Sequence, residues 1–226
     1  LEYMRNWNGS MSETEVAPTI HSVFLQRLIE NTFLDELGLE RYREFIYVNN
    51  IPIRTIANLL NDSTNTWWDR VNTRGPIPET RDSIIKLSFV EALRILRSTF
   101  GNDMTKWQWG ELHSLTYRHV FADADKRIAK LVNVEHGPAM GGPTTVYQAT
   151  YNMWDPYKMR VGPSMRMIAD MKTNSLYAAL PTGNSEAIFG DHYKDMLDMF
   201  KRGDFIDIPL TQRNPEWRKL ELVPGE

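Results

Sequence analysis

The sequence predicts an α+β fold, with a mainly helical region at residues 1–136 and a β-rich region with one helix at 137–226. In the first region, apolar residues recur every three or four positions, which is the period of a helix with one buried face. The second region opens with glycines and prolines at 137–143 and continues with short alternating segments, as strands do. Helices followed by strands favour an antiparallel sheet beside a helical layer, and we expect one compact unit.

The helical region begins with an apolar-periodic segment that runs from Ser12 or Glu13 to a stop at Gly38. Pro18 falls near the first turn of this segment, where a missing N–H is tolerated. After Gly38 the sequence predicts two short helices and then a polar loop, at 40–47, 51–60 and 61–66.

The clearest helix lies at 79–100, after the letters GPIP at 75–78 break the chain. Gly101 follows it, and a glycine just past the last turn commonly ends a helix. Large apolar residues recur along this segment at spacings of three or four, which predicts that they form its buried face. These residues are Ile85, Phe89, Leu93, Leu96 and Phe100.

Further helices are predicted at 103–118, which carries the letters WQWGELH, and at 123–131. In the β-rich region, strands are predicted at 144–151, 164–171, 175–180 and 205–210, with a helix at 191–202. Four residues alternate on one face of the second of these strands, Met165, Met167, Ala169 and Met171. The alternation predicts a half-buried strand whose methionines pack in the core.

Composition excludes several classes of function. The chain has 226 residues and a net charge of −3, which provides no basic surface for nucleic acid. No apolar run approaches the roughly 18–20 residues that cross a bilayer, so no membrane span is predicted. The absence of cysteine excludes disulfides, thiolate zinc sites and a Cys nucleophile within these residues, and it leaves the cellular compartment open.

Ser185, His192 and Asp195 are residue types of a catalytic triad, but their arrangement argues against one. The loop around Ser185 lacks the second glycine of a nucleophile elbow, and His192 and Asp195 stand three residues apart on one predicted helix. We interpret the three as loop-capping and surface residues. Asp191, Asp195 and Asp198 likewise predict a solvated acidic helix face.

The remaining polar candidates also have structural interpretations. His113 and His119 are six residues apart, which places them on different faces of a helix, so we predict no metal site and expect His113 to be a hydrogen-bonded packing residue beside Trp109. Arg166 and Asp170 share a strand face but lie roughly 13 Å apart, so each needs another partner. A substrate-facing role for this pair is the alternative.

Five short motifs occur in order along almost the whole chain. They are WNG at 7–9, WQWGELH at 107–113, GG with TTV at 141–146, SMRMIAD at 164–170, and GNS with HYKD at 183–195. Together they resemble the penicillin acylase family of N-terminal-nucleophile amidohydrolases. Three positions depart from the family pattern: Asn8 replaces Asp, Asn184 replaces Gln, and Glu186 stands where the family usually has Gly.

The resemblance implies hydrolysis of an amide by a free N-terminal Ser, less often Thr or Cys, whose own α-amine accepts the proton. In the family this residue, the oxyanion Asn and the calcium ligands lie upstream of the first motif, whereas residue 1 here is Leu1. We therefore expect the C-terminal part of a β chain whose strands complete the αββα sheet of the intact enzyme. No catalytic, cofactor-binding or metal residue is predicted within 1–226, and the chain alone is expected to be inactive.

The implied partners are upstream α- and β-chain segments of the same precursor and, in the intact enzyme, a small N-acyl amide substrate. The isolated chain would expose a sheet edge and an apolar patch, so self-association is expected. A non-catalytic binding or assembly module derived from the family is the main alternative, and a hydrolase built on Ser185 and His192 is a third. Penicillins, other N-acyl amides and acyl-homoserine lactones all remain possible substrates.

Overall fold

A computed structural model of the protein describes residues 2–69 and 80–209, in which most of the helical residues precede the strands. The α-helices are α1 Glu2–Arg5, α2 Ala17–Phe45, α3 Asn50–Leu59, α4 Arg81–Phe100, α5 Trp109–Leu112, α6 Lys126–Val132 and α7 Leu197–Arg202. The strands are β1 Ser114–Tyr117, β2 Val134–Pro138, β3 Arg166–Asp170, β4 Ser175–Ala179 and β5 Ile206–Pro209. Short 3-10 helices lie at Thr66–Trp68, Met104–Lys106 and Val120–Asp123.

The long helix α2 starts later than the sequence predicts and continues past the predicted stop. It begins at Ala17, with Pro18 in its first turn, where proline lacks no needed N–H. Gly38 interrupts it with a non-helical φ of 67° and ψ of 165°. The prediction of a helix end at Gly38 and a second helix after it is therefore observed as two arms joined at a kink.

The helix predicted at 79–100 is confirmed as α4. The Thr80 hydroxyl accepts the N–H of Ser83, and the Ser83 hydroxyl accepts the N–H of Thr80, a capping box that satisfies two free donors of the first turn. The helix ends at Gly101, whose φ is 84°. Residue 79, the start of the predicted helix, and the predicted break at 75–78 lie outside the described residues.

The buried face of α4 differs from the predicted one. Its fully buried residues are Ile84, Ser88, Ala92 and Leu96. Of the predicted set, only Leu96 is fully buried, and the others lie at the margins of the contact with α2. Small side chains at 88 and 92 let the two helix backbones approach closely, and the larger ones flank this line of contact. Asn31 of α2 donates a hydrogen bond to the Ser88 hydroxyl at 3.1 Å.

Two apolar clusters hold the helical layer together. One joins the first half of α2 to α4 and to Trp107, through Val16, Ile20, Val23, Ala92 and Leu96. The other joins the second half of α2 to α3 and Trp68, through Leu28, Ile29, Phe33, Ile56 and Leu59. A third, smaller cluster of Leu115, Ala139, Ala149 and Met159 packs beneath β1 and β2.

The strands form two antiparallel sheets, which confirms the α+β class. β1 pairs with β2, and the other sheet has the order β3-β4-β5. In that sheet Ile168 faces Tyr177, and Tyr177 faces Asp207. Asn174, with a φ of 50°, forms the predicted tight turn between β3 and β4. β2 spans the predicted regional boundary at 136, so that division of the chain stays a prediction.

Several short elements differ from the prediction. The helix predicted at 103–118 is wrong: the segment forms a 3-10 turn, the four residues of α5 and then strand β1. Thr116 and Tyr117 fit a pleated surface better than a helix, and β2 offers them a partner. The predicted strand at 144–151 makes only isolated bridges, one of them between Thr150 and Val161. The helix predicted at 191–202 is confined to α7.

Strand β3 forms as predicted, but its methionines do not pack in a core. Met165, Met167 and Met171 are 52%, 57% and 84% exposed. The prediction of a half-buried methionine face is wrong because, within residues 2–69 and 80–209, no element covers that side of the strand. A search of the same residues finds no helix with the length and apolarity that crossing a membrane requires.

Candidate functional site

The WQWGELH motif forms the junction between the two halves of the chain. The first N–H groups of α5 have no partner inside the helix, and the segment before α2 supplies them: Trp109 N–H donates to Glu15 O and Gly110 N–H to Glu13 O, both at 2.8 Å. Any Cβ at position 110 would lie 2.7 Å from Pro138 Cβ. Glycine is therefore required here because the chains on both sides come so close.

Trp109 and His113 stack at the centre of this junction. Their rings lie 4.5 Å apart at 12°, and both side chains are 0% exposed. Trp109 Nε1–H donates to Gly141 O at 2.9 Å, which ties the motif to the glycine pair at 141–142. His113 Nδ1 is hydrogen-bonded to the carbonyl of Tyr157. The predicted role of His113, a hydrogen-bonded packing residue beside Trp109, is confirmed.

Tyr157 belongs to this junction although nothing in the sequence pointed to it. Its backbone has a φ of 79°, which is uncommon for a residue with a side chain. This conformation accompanies a carbonyl that meets His113, while the Tyr157 ring packs 5.6 Å from that of Tyr151. Pattern reasoning finds such a position only when glycine or asparagine occupies it, so it had no signal here.

Burial keeps His113 neutral. Desolvation lowers its pKa to about 4, and nearby His136 lowers it further, while the hydrogen bond to Tyr157 O acts in the opposite direction. The neutral ring carries its proton on Nδ1, because the partner there is a carbonyl, and Nε2 is buried without a partner among the described residues. Burial also lowers the pKa of His136.

This arrangement predicts that the protein loses stability in acid. A histidine whose folded pKa lies below the unfolded value stabilises the fold above pH 6.5, and that contribution is lost as the pH falls towards 4. His113 alone accounts for at most about 3 kcal/mol of the free energy of unfolding. Urea unfolding between pH 7 and pH 4 should show this loss, and His113→Asn, which keeps a donor but cannot titrate, should reduce it.

His192→Gln is the control for this titration. His192 is 70% exposed, and its hydrogen bond with Asp195 raises its pKa, so its effect on the pH dependence has the opposite sign. Equal pH dependence in wild type and His113→Asn would show that other groups cause the acid instability.

The WNG motif closes the junction from the other side. The Asn8 side chain accepts the N–H of Ser10 at 2.8 Å, so it serves as a local cap, as expected where the family has Asp. Trp7 donates to Ser10 O and its ring lies 5.0 Å from that of His21. Gly141 N–H donates to Met11 O at 2.8 Å, which brings the first and third motifs together.

The GNS and HYKD motifs fold into one loop but do not form a triad. His192 Nδ1 and Asp195 Oδ2 are 2.8 Å apart, so the acid and base are paired. The Ser185 hydroxyl instead accepts the N–H of Ala187 at 3.2 Å, and the described contacts include none between this hydroxyl and the His192 ring. A Cβ at Gly183 would lie 2.1 Å from His192 O, so the family glycine permits this tight loop.

A cleft of about 580 Å³, which sequence reasoning missed, lies between this loop and the end of β1. Ser185, Glu186, Arg118, His119, Tyr117 and Tyr193 contribute to its walls, and His192 does not. The cleft therefore contains no serine, histidine and acid within mutual reach that could act on a bound amide.

Arg166 and Asp170 each find a separate partner, as predicted. The Arg166 guanidinium lies 4.0 Å from the centre of the Phe200 ring and donates to the Phe200 carbonyl. Asp170 accepts the N–H of Lys172 at 2.9 Å. His113 and His119 do not converge, and within the described residues no group of three acidic, histidine or cysteine side chains is arranged to hold a metal ion.

Comparison with known proteins identifies relatives over almost the whole chain. The family model described as penicillin amidase matches residues 1–216. The acyl-homoserine lactone acylase QuiP of Pseudomonas putida is 29% identical over 100% of this chain and 28% of its own length. The QuiP proteins of Pseudomonas syringae pv. tomato and Pseudomonas aeruginosa are 28% and 24% identical, each over 97% of this chain.

The chain spans about 28% of the length of these relatives. The family match nevertheless covers all five motifs and the junction that they build around Trp109. The chain therefore belongs to the penicillin amidase family.

Proposed function

We propose that this chain is the C-terminal part of the β chain of a penicillin-amidase-type enzyme that hydrolyses linear N-acyl amide bonds. In this proposal the chain is the supporting framework, and the nucleophile lies elsewhere in the same polypeptide. The observation that carries the proposal is the family match over residues 1–216 in a chain that spans about 28% of its relatives' length.

The positions of the motif side chains support a framework role. Trp109 and His113 are 0% exposed, so neither is available to a substrate. Arg166 is committed to Phe200, and the Ser185 hydroxyl to the backbone of its own loop. These residues hold segments together that are distant in the sequence, which is what a framework for a catalytic sheet must do.

N-acyl-homoserine lactones are the substrate class that we propose for the intact enzyme. The named relatives are acyl-homoserine lactone acylases. Such an enzyme cleaves the amide between the acyl chain and the amine of the lactone, releasing a carboxylic acid. We assign no cofactor to this chain, and we attribute any calcium site of the intact protein to other segments. A non-catalytic assembly module is the alternative, favoured if the gene encodes no upstream Ser, Thr or Cys nucleophile.

The purified chain should hydrolyse neither a chromogenic phenylacetyl anilide nor an N-acyl-homoserine lactone above the buffer rate. The reason is that no described serine is paired with a base. A longer polypeptide from the same reading frame should hydrolyse at least one of them. Release of the chromophore and of free homoserine lactone measures both reactions.

Ser185→Ala is the control in both proteins. It should leave the activity of the longer polypeptide within about twofold, because Ser185 only caps a loop in this proposal. Turnover by the purified chain that disappears in Ser185→Ala would instead establish a hydrolase built on Ser185. An inactive longer polypeptide would favour the assembly module.

A further inference from the structure

Strand β3 lies at the edge of its sheet with one side unpaired. In the order β3-β4-β5 its only strand partner within the described residues is β4. The five residues of β3 therefore present a row of backbone donors and acceptors that a further strand can use. Natural proteins usually protect such an edge with proline, a bulge or a covering loop. β3 has no proline, and its pairing with β4 has no bulge.

The side chains along this edge are apolar on both faces. Met167 points to one face and is 57% exposed, and Ile168 points to the other and is 52% exposed. Met165 and Met171 extend the apolar surface beyond both ends of the strand. An edge with exposed apolar residues on both faces gains from pairing with another strand, because pairing covers both faces at once.

The charges on β3 make it complementary to itself. The strand reads Arg-Met-Ile-Ala-Asp, with a cation at the first position and an anion at the last. If two copies pair antiparallel with Ile168 facing Ile168, each Arg166 faces Asp170 of the other copy, and each Met167 faces Ala169. Opposite charges that face each other across strands stabilise the pair, and a large residue beside a small one packs well.

The other edge of the sheet lacks this complementarity. β5 reads Ile-Asp-Ile-Pro, so its only charge is negative and its last residue cannot donate a hydrogen bond. Antiparallel pairing of two β5 strands offers no cation to Asp207. β3 is therefore the edge better suited to a second copy of the chain.

We propose that two copies of this chain associate through β3, antiparallel and centred on Ile168, to form a two-fold-symmetric six-stranded sheet. The inference rests on the proposed framework role, because in a longer enzyme the same edge would pair with a strand of its own polypeptide. Five residues per strand make a small interface, so we expect a dissociation constant on the order of 10 µM.

Site-specific disulfide formation tests the register. The chain has no cysteine, so one introduced cysteine has only its copy as a partner. Ile168→Cys places two thiols opposite each other, within the range that a disulfide spans. Met171→Cys is the matched control: it is more exposed, at 84%, but its two copies would lie roughly 20 Å apart along the strands.

Ile168→Cys should form disulfide-linked dimers at least tenfold faster than Met171→Cys under the same oxidant and protein concentration. Equal rates would mean random collision and would overturn the proposal. Wild-type chain that sediments as a monomer at about 200 µM would also overturn it, given the dissociation constant expected for so small an interface. Neither result depends on catalytic activity, so the framework proposal stands or falls separately.

Charge variants provide an independent test by sedimentation. Asp170→Arg opposes two cations in the dimer and should raise the dissociation constant at least tenfold, and mixing it with Arg166→Asp should restore association as a heterodimer. Because Arg166 also packs on Phe200, circular dichroism must first show that its variant is folded. Ile168→Lys against Val120→Lys, at an exposed site away from β3, replaces the mixing test if it is not. Equal dissociation constants in these two lysine variants would exclude the β3 interface.

Discussion

Replacing Trp109 with alanine should lower the free energy of unfolding by about 4 kcal/mol, the largest loss that we expect from a single side chain in this protein. The ring is 0% exposed, stacks on His113 at 4.5 Å and lies 6.5 Å from Tyr151. Its removal opens a cavity at the junction of both halves and leaves the Gly141 carbonyl without its donor. Urea unfolding followed by far-ultraviolet circular dichroism measures the difference.

Trp154→Ala is the matched control, because Trp154 is 40% exposed and its one cation–π contact is with Arg43. It should cost about 1 kcal/mol or less. If Trp109→Ala does not fold well enough to measure, Trp109→Phe keeps most of the ring and removes the hydrogen bond, with an expected cost of about 2 kcal/mol. Equal losses at positions 109 and 154 would contradict the central role of Trp109.

The sequence predicts the long helices because each carries its own information. Helix α4 has a capping pair at Thr80 and Ser83, an apolar period and a terminal glycine, and these local signals agree with the packing. Its exact buried line was missed, because tight contact with α2 depends on small side chains at Ser88 and Ala92 that no hydrophobic count favours.

The shorter elements depend on distant partners that periodicity cannot reveal. Helix α5 starts where it does because residues 13 and 15 accept its first N–H groups, and β1 exists because β2 comes back beside it. The exposed methionines of β3 show the opposite case: alternation correctly predicts a strand but not whether anything covers its face.

The candidate site shows the same division. The stacking of His113 on Trp109 could be predicted because their four-residue spacing places both rings on one helical face. The acceptor for His113, the carbonyl of Tyr157, lies 44 residues along the chain and depends on an unusual backbone angle. The pairing of His192 with Asp195 follows from their spacing, whereas the separate role of Ser185 follows from the fold of its loop.

The adjacent glycines at 141 and 142 should respond very differently to alanine. Gly141 has a φ of 84°, and a Cβ there would lie 2.2 Å from the backbone oxygen of Tyr147, which cannot move independently. Gly141→Ala should therefore lower the free energy of unfolding by about 3–4 kcal/mol, since backbone strain and a steric clash add together. A Cβ at Gly142 would meet only the terminal methyl of Met11 at 3.0 Å, and a flexible side chain can move aside.

Gly142→Ala is thus the internal control, expected to change the free energy of unfolding by less than about 1 kcal/mol. The comparison also tests the junction itself, because Gly141 both donates to Met11 O and accepts from Trp109 Nε1. A shift of the backbone at 141 should disturb both hydrogen bonds, so Trp109→Phe and Gly141→Ala should be less than additive in the double variant. Full additivity would show that the two residues stabilise the fold independently and that the glycine pair does not position the tryptophan.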